Sequence, residues 1–318
     1  MTDDAFRALL DAAPKNPVID KTLMTARAKL GMYAKVAVSY SGGSDSDLMI
    51  DLIELLKPEG FGVIKYVFFD TGLEWGATLR HIAETEEKYG VEIERRKARM
   101  PIPAACKKHG IPCFDKFTSG LFATYQRHGF DFNAEGRGIE HLALRKKWML
   151  GGNGQHVVKP SRKEFVSQNP PTFRISDKCC NYAKKLPAKD FYKEFSPDLD
   201  IQGVRKSEGG PRSSAYKSCF TQNDDGMDSY RPLFFWTDAD KQAYKEWRGL
   251  RYSDCYEVWG FKRTGCVGCP CSARAVKDLE TARQYEPGKV AAAYAIFEES
   301  YRYREAYNHF LATGGHRP

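Results

Sequence analysis

No run of eighteen or more apolar residues occurs in the 318-residue sequence, which excludes a membrane-spanning helix. The stretch from Met1 to Ala13 carries Asp3, Asp4 and Asp11 and no basic segment ahead of an apolar one, so no secretory leader is expected. Internal repeats and low-complexity tracts are also missing. With 42% hydrophobic and 28% charged residues, the chain has apolar material for a real core and is not intrinsically disordered. Nine cysteines without an export signal read as thiols or metal ligands rather than a disulfide framework. The expectation is a cytoplasmic globular protein of about two domain lengths, or one enlarged α/β domain.

The formal charge of +8 is unevenly spread. Between Tyr125 and Lys178, ten basic residues (Arg127, Arg137, Arg145, Lys146, Lys147, Lys159, Arg162, Lys163, Arg174, Lys178) face five acids. His128, His141, His156 and Trp148 are interleaved with them. Such a segment suits a polyanion groove, because phosphates supply most non-specific affinity; a solvated basic insertion is the alternative. Gly151, Gly152, Gly154, Pro160, Pro170 and Pro171 mark it as loop-rich.

Val36 to Tyr40 is an apolar run entering Ser41-Gly42-Gly43-Ser44-Asp45-Ser46. Leu48, Met49, Leu52, Ile53, Leu55 and Leu56 then recur at helical spacing until Pro58 and Gly60. Val63 to Phe69 reads as a second strand ending at Asp70-Thr71-Gly72. Leu79, Ile82 and Ala83 mark a helix closed by Gly90, and a third strand starts at Val91 to Ile93. This alternation predicts a parallel, helix-flanked sheet. In such sheets ligands bind at the carboxyl ends of strands, where both polar turns fall. Two glycines let the backbone approach an anion, and the helix start adds aligned N–H groups and serine hydroxyls. No Gly-Lys-Ser/Thr follows, so the loop is not a Walker A loop. Ala291 to Phe310 reads as a terminal helix, packed on the core with Arg302, Arg304 and His309 on a basic outer face.

Ser41-Gly42-Gly43-Ser44-Asp45-Ser46 resembles the pyrophosphatase loop of the PP-loop ATPases, which cleave ATP between the α- and β-phosphates. Phe69-Asp70-Thr71-Gly72-Leu73-Glu74 and Gly203-Val204-Arg205 are similar to elements of the phosphoadenosine phosphosulfate reductase family, as are Lys178-Cys179-Cys180 and Cys266-Val267-Gly268-Cys269-Pro270. The resemblance implies a doubly wound, Rossmann-like fold of the adenine nucleotide α-hydrolase type, with a cysteine-rich C-terminal region and a terminal helix. It implies that Ser39, Ser41, Gly42, Gly43, Ser44, Asp45 and Ser46 cradle phosphates, with Asp70 and Thr71 framing the adenosine and Mg²⁺. Arg205 would clamp the terminal phosphates or the substrate phosphate, with Gly203 also at the nucleotide, and Lys116 and Arg212 are further candidates of the same kind, a surface role being the alternative for each. Asp45, Arg205 and Lys116 are the expected catalytic set. The expected organisation is a nucleotide-binding core at 1–124, the basic insertion at 125–178, a cysteine-rich half completing the core at 179–278, and a helical tail at 279–318.

Cys266-x-x-Cys269 has the bite for two ligands, and the remote pair Cys179-Cys180 would complete a tetrathiolate for zinc or an iron–sulfur cluster. Iron–sulfur sulfonucleotide reductases show this order and spacing, which favours a [4Fe–4S] cluster over zinc. Cys255, Cys219 and Cys271 are the alternative ligands; Cys106 and Cys113 read as buried packing residues.

Those reductases carry a nucleophilic cysteine in a C-terminal Glu-Cys-Gly motif, whereas no cysteine follows Cys271 here. The resemblance therefore points to the branch supporting DNA phosphorothioation. ATP would adenylate a nucleic-acid phosphate, and sulfur would come from a cysteine desulfurase alongside other modification proteins, with no membrane involved. Adenylyl sulfate reduction through a thiol such as Cys271, tRNA thiolation and a non-catalytic nucleotide-binding regulator are the alternatives.

Overall fold

The computed structural model describes residues 1–131, 158–208, 216–224 and 226–314. The chain divides into two units: Met1–Asp70 with Gly76–Arg96 and Pro187–Thr264, and Thr71–Trp75 with Lys97–Leu186 and Gly265–Pro318.

The first unit opens with α1 (Asp3–Ala12) and α2 (Pro17–Leu30). Asn16 starts α2 by accepting the Val18 and Ile19 N–H groups, with Pro17 at the first helical position where its missing N–H costs nothing. There follow β1 (Lys35–Ser39), α3 (Ser44–Leu56), β2 (Val63–Asp70), α4 (Gly76–Tyr89) and β3 (Ile93–Lys97). The six-stranded sheet has the order β3-β2-β1-β4-β6-β5, with β4 at Leu199–Ile201, β5 at Phe220–Thr221 and β6 at Asp228–Tyr230. β1 runs parallel to β2 and β4, and β4 parallel to β6; only the short β5 is antiparallel to its neighbour β6. The expected parallel α/β sheet is present.

Side-chain alternation explains why helices cover both faces. Val36 and Val38 of β1 pack with α2 and α3 through Ile19, Leu23, Leu48, Leu52 and Ile53. Ala37 and Val67 point the other way and pack against Phe191 and Phe195 of a later helix, Leu186–Phe195. The third strand starts at Ile93 rather than Val91. Glu86 explains the delay: its carbonyl takes the Val91 N–H and its carboxylate the Ile93 N–H, so the turn after Gly90 extends two residues.

The second unit is helical. It contains α5 (Ile102–His109), α6 (Lys116–Tyr125), α7 (Pro160–Gln168) and the short α8 (Lys178–Cys180) with a π-helical turn at Asn181–Lys185, whereas α9 (Leu186–Phe195) belongs to the first unit from Pro187 onward. After the first unit's α10 (Asp238–Arg248) and α11 (Asp254–Glu257) come α12 (Ala275–Ala282) and α13 (Pro287–Ala312). Phe114, Phe165, Tyr303 and Tyr307 form an aromatic core, with Phe114 and Tyr307 rings 5.0 Å apart and Phe165 and Tyr307 5.3 Å apart. The terminal helix extends beyond its expected bounds at both ends. Arg304 is not on its outer face: its guanidinium reaches the carbonyls of Phe114, Pro270 and Ser272. Three backbone acceptors left by the turn at 270–272 and by Phe114 outweigh solvation of that cation. Among the described residues, no helix is long and apolar enough to cross a membrane.

Candidate functional site

In the first unit, β1 delivers its chain to the turn that opens α3. Gly42 has φ +65°, and a Cβ there would lie 2.7 Å from Thr78 Cγ2, so glycine is required on both counts. Ser46 turns its hydroxyl inward: it donates to the Gly43 carbonyl at 2.7 Å and accepts the Gly43 N–H at 3.0 Å, with Ser41 Oγ at 3.2 Å. Ser46 thus organises the loop from within, at the positive dipole end of α3, where the Ser44 backbone also bonds the Tyr256 hydroxyl. Ser39 Oγ lies 3.3 Å from Tyr192 Oη, which donates to Asp200 at 2.8 Å.

Asp45 carries the densest electrostatics. Arg205 Nε donates to its two carboxylate oxygens at 3.0 and 3.1 Å, and Lys241 Nζ sits 2.5 Å from Oδ1. Arg205 Nη1 continues to Ser207 Oγ and Asp238 Oδ1, both at 2.9 Å. Burial raises the Asp45 carboxyl, but Lys241 and Arg205 outweigh it and hold the group below the usual carboxylate range. Glu208 faces the same carboxylate, and burial together with the Asp45 charge pushes it up. Gly203 lies beside Asp45, where a Cβ would meet backbone only at an ordinary 3.7 Å. Asp45, Gly203 and Arg205, far apart in sequence, are therefore brought together. Lys241 was missed: the Thr237-x-x-Asp240 capping box that starts α10 is legible, but not the loop its next residue reaches.

Asp70 closes β2 in the first unit, whereas Thr71 opens a segment of the second. Thr71 is fully buried and donates to Glu74 Oε1 at 2.6 Å; its hydroxyl also bonds the Cys266 thiol. The Leu73 carbonyl accepts the Val267 N–H at 2.9 Å, joining this segment to the cysteine turn.

The second unit gathers six thiols. Cys106 and Cys180 both hydrogen-bond Cys179, Cys271 bonds Cys269, and Cys269 interacts electrostatically with both Cys180 and Cys266. Cys106 is buried as expected, yet it belongs to this gathering; Cys113 is fully buried and pushed up to about 12 by that burial. Burial also pushes Cys266 up to about 12, against Lys184. Cys269 is held low, chiefly by the hydrogen bond from Cys271. Lys184, four residues after Cys180 in the π-helical turn, faces Cys266, Glu74, Cys180 and Cys269, whose charges outweigh its burial and raise it. Lys116, the first residue of α6, stands near the Cys180 thiol. Gly268 has φ +63°, and a Cβ there would lie 2.5 Å from Tyr301 Oη, which donates to the Gly268 carbonyl.

Cys219 and Cys255 belong to the first unit. The Cys219 carbonyl accepts the Arg231 N–H at 2.7 Å, and Cys255 Sγ lies 3.8 Å from Thr78 Oγ1. Among the described residues, no three His, Cys, Asp or Glu side chains converge to hold a metal ion. The six thiols gathered in the second unit are soft sulfur donors of the kind that zinc and iron–sulfur clusters both take. The all-sulfur donor set fits the cluster.

Arg212 and the middle of the basic stretch, including Arg137, Arg145, Lys146, Lys147, His141, Trp148 and His156, lie outside the described residues. Of its described members, Arg162 pairs with Asp115 and lies 5.1 Å over the Phe114 ring.

The sequence matches the phosphoadenosine phosphosulfate reductase domain over residues 35–124 and 151–272. An adenosine 5′-phosphosulfate reductase of a Geobacillus species is 22% identical over 264 residues, which are 82% of this chain and 83% of that protein. An uncharacterized protein of Methanocaldococcus jannaschii is 25% identical over 237 residues, 74% of this chain; the match spans only 36% of that relative's length. Among solved structures, a phosphoadenylyl-sulfate reductase of Candida auris in a phosphate complex matches 84% of this chain and 96% of its own, with a TM-score of 0.47 and 15% identity.

Proposed function

The chain belongs to the phosphoadenosine phosphosulfate reductase domain family, and from that membership we propose an ATP pyrophosphatase that adenylates a nucleic-acid phosphate for sulfur incorporation, as in DNA phosphorothioation. A phosphate oxygen of the acceptor attacks the α-phosphorus of Mg²⁺-bound ATP, and the bond to the β-phosphate breaks, releasing pyrophosphate. The terminal sulfur of a persulfide, received from a cysteine desulfurase and carried on a cysteine, then bonds the acceptor phosphorus as AMP leaves; a second thiol breaks the remaining S–S bond, releasing the phosphorothioate and leaving a disulfide that an external thiol reductant resets. Arg205 and the start of α3 stabilise charge on the departing phosphates. A [4Fe–4S] cluster held by Cys179, Cys180, Cys266 and Cys269 supplies, when bound, a site for sulfur binding or electron transfer.

The observation that carries this reading is the fate of the segment after Cys271. A sulfonate-accepting thiol needs freedom to travel, but α13 is tied to the cysteine turn by Tyr301 on the Gly268 carbonyl and Arg304 on those of Pro270 and Ser272. Sulfonucleotide reduction is the second reading, favoured by the adenosine 5′-phosphosulfate reductase relative, with Cys271 as the thiol.

The test uses anaerobically purified protein with ATP and Mg²⁺, with and without DNA or tRNA. AMP and pyrophosphate, stimulated by DNA, support the proposal; stimulation by tRNA alone moves the acceptor to tRNA. Intact ATP throughout, with sulfite released from adenylyl sulfate and a thiol reductant, replaces it with the reductase. Tight ATP binding without turnover of either substrate would leave a nucleotide-binding regulator.

A further inference from the structure

Two cations share one buried carboxylate at the start of α3. Lys241 Nζ donates to Ser44 Oγ at 2.8 Å and lies 2.5 Å from Asp45 Oδ1, while Arg205 spans both Asp45 oxygens. Ser44 is the first residue of α3, at the positive end of its dipole. The Lys241 and Arg205 side chains are only 14% and 8% exposed, so water screens their charges poorly.

The nearby acids do not balance them. Asp238, the other partner of Arg205, is 91% exposed and its charge is largely screened. Glu208 faces Asp45 but is exposed, so its charge too is largely screened. One well-buried negative charge thus answers two positive ones beside a helix start. This arrangement favours an anion with more charge than a single carboxylate.

We propose that Lys241 is a phosphate-contacting residue of the nucleotide site, and that Asp45 is the internal anion that Lys241 and Arg205 exchange for the β- and γ-phosphates when ATP enters. The inference rests on the nucleotide reading above and extends it to a residue on α10. Lys241 has little competing work: the Thr237–Asp240 capping box starts α10 without it, and its Nζ lies a distant 5.8 Å from the Tyr252 ring centroid. Its ammonium can therefore follow a phosphate while the helix stays put. In the nucleotide-free protein, Asp45 keeps both cations oriented and so limits the ordering cost at binding.

The experiment is calorimetric titration of the wild type, Lys241→Met and Lys241→Arg with ATP, inorganic pyrophosphate and AMP. Met keeps helix propensity and stem volume but removes the charge. Loss of one charge-assisted phosphate contact is expected to weaken ATP and pyrophosphate about 10- to 100-fold in Lys241→Met. AMP affinity should stay within about twofold, and Lys241→Arg should retain most of the ATP affinity. Equal ATP affinity in wild type and Lys241→Met overturns the role of Lys241 while leaving the nucleotide reading intact. Parallel losses for ATP and AMP also overturn it, since they mark a folding role. A wild type that binds none of the three overturns both.

Discussion

His81 on α4 holds its Nε2 3.0 Å from Asp47 Oδ2 on α3, inside the first unit, where both side chains are less than a tenth exposed. Glu84 approaches the other ring nitrogen at 3.6 Å, and Tyr40 at the end of β1 donates to Asp47 Oδ1 at 2.6 Å. A buried imidazole between two carboxylates binds together the first turn of α3, just past the phosphate loop, and the neighbouring helix.

This pair makes stability pH-dependent. Burial opposes the His81 charge, but Asp47 and Glu84 outweigh it and raise the group above the ordinary histidine value. A raised folded-state pKa contributes stability that is fully present below the unfolded value of about 6.5 and lost as pH rises through the folded value. Urea midpoints should therefore fall with pH above about 6.5 in the wild type and be flatter in His81→Gln. Identical slopes would show that the pair is not ionised.

Asp51 is a second buried hub. It is 2% exposed and accepts from Tyr89, Tyr244 and Arg248 Nε, each at 2.9 Å. Asp51→Ala would leave Arg248 uncompensated and two phenols unsatisfied, at a cost of about 3–5 kcal/mol. Denaturant titration measures it, with a loss under about 1 kcal/mol contradicting the hub.

The six gathered thiols separate from the other three in a metal analysis. Cys179→Ser and Cys266→Ser should each abolish iron and acid-labile sulfide in anaerobically purified protein, whereas Cys219→Ser and Cys255→Ala should keep both. Stoichiometric zinc without sulfide in the wild type would refute the cluster.

Gly268→Ala should disturb that turn. The substitution places a Cβ in a left-handed conformation, 2.5 Å from Tyr301 Oη and 2.7 Å from Ala293 Cβ. A cost of about 1–3 kcal/mol follows from backbone strain and overpacking. Thermal unfolding should show a lower midpoint, and the protein should retain less iron; wild-type values for both would mean that the turn relaxes freely.

The parallel sheet, the strand–loop–helix around Gly42 and the positions of the cysteine pairs were legible in the sequence, because each depends on periodicity, glycine conformation or spacing over a few residues. The limits of that reading show at particular side chains. Arg304 was expected on an outer face, since helical spacing assigns a face but says nothing of three distant carbonyls awaiting a donor. Cys106 was read as packing, and only the approach of α5 and α8 brings its thiol to Cys179.

Local chemistry therefore decided which segments are strands, which turn can receive an anion and which residues carry sulfur. Tertiary structure alone decided what those groups meet. Lys241 reaches Ser44 across 197 positions, and Arg205 reaches Asp45 across 160. Such pairs form only after α10 and the turn beyond β4 have been positioned by packing of their apolar faces. The charge balance of the loop is set by that packing, and no local pattern encodes it.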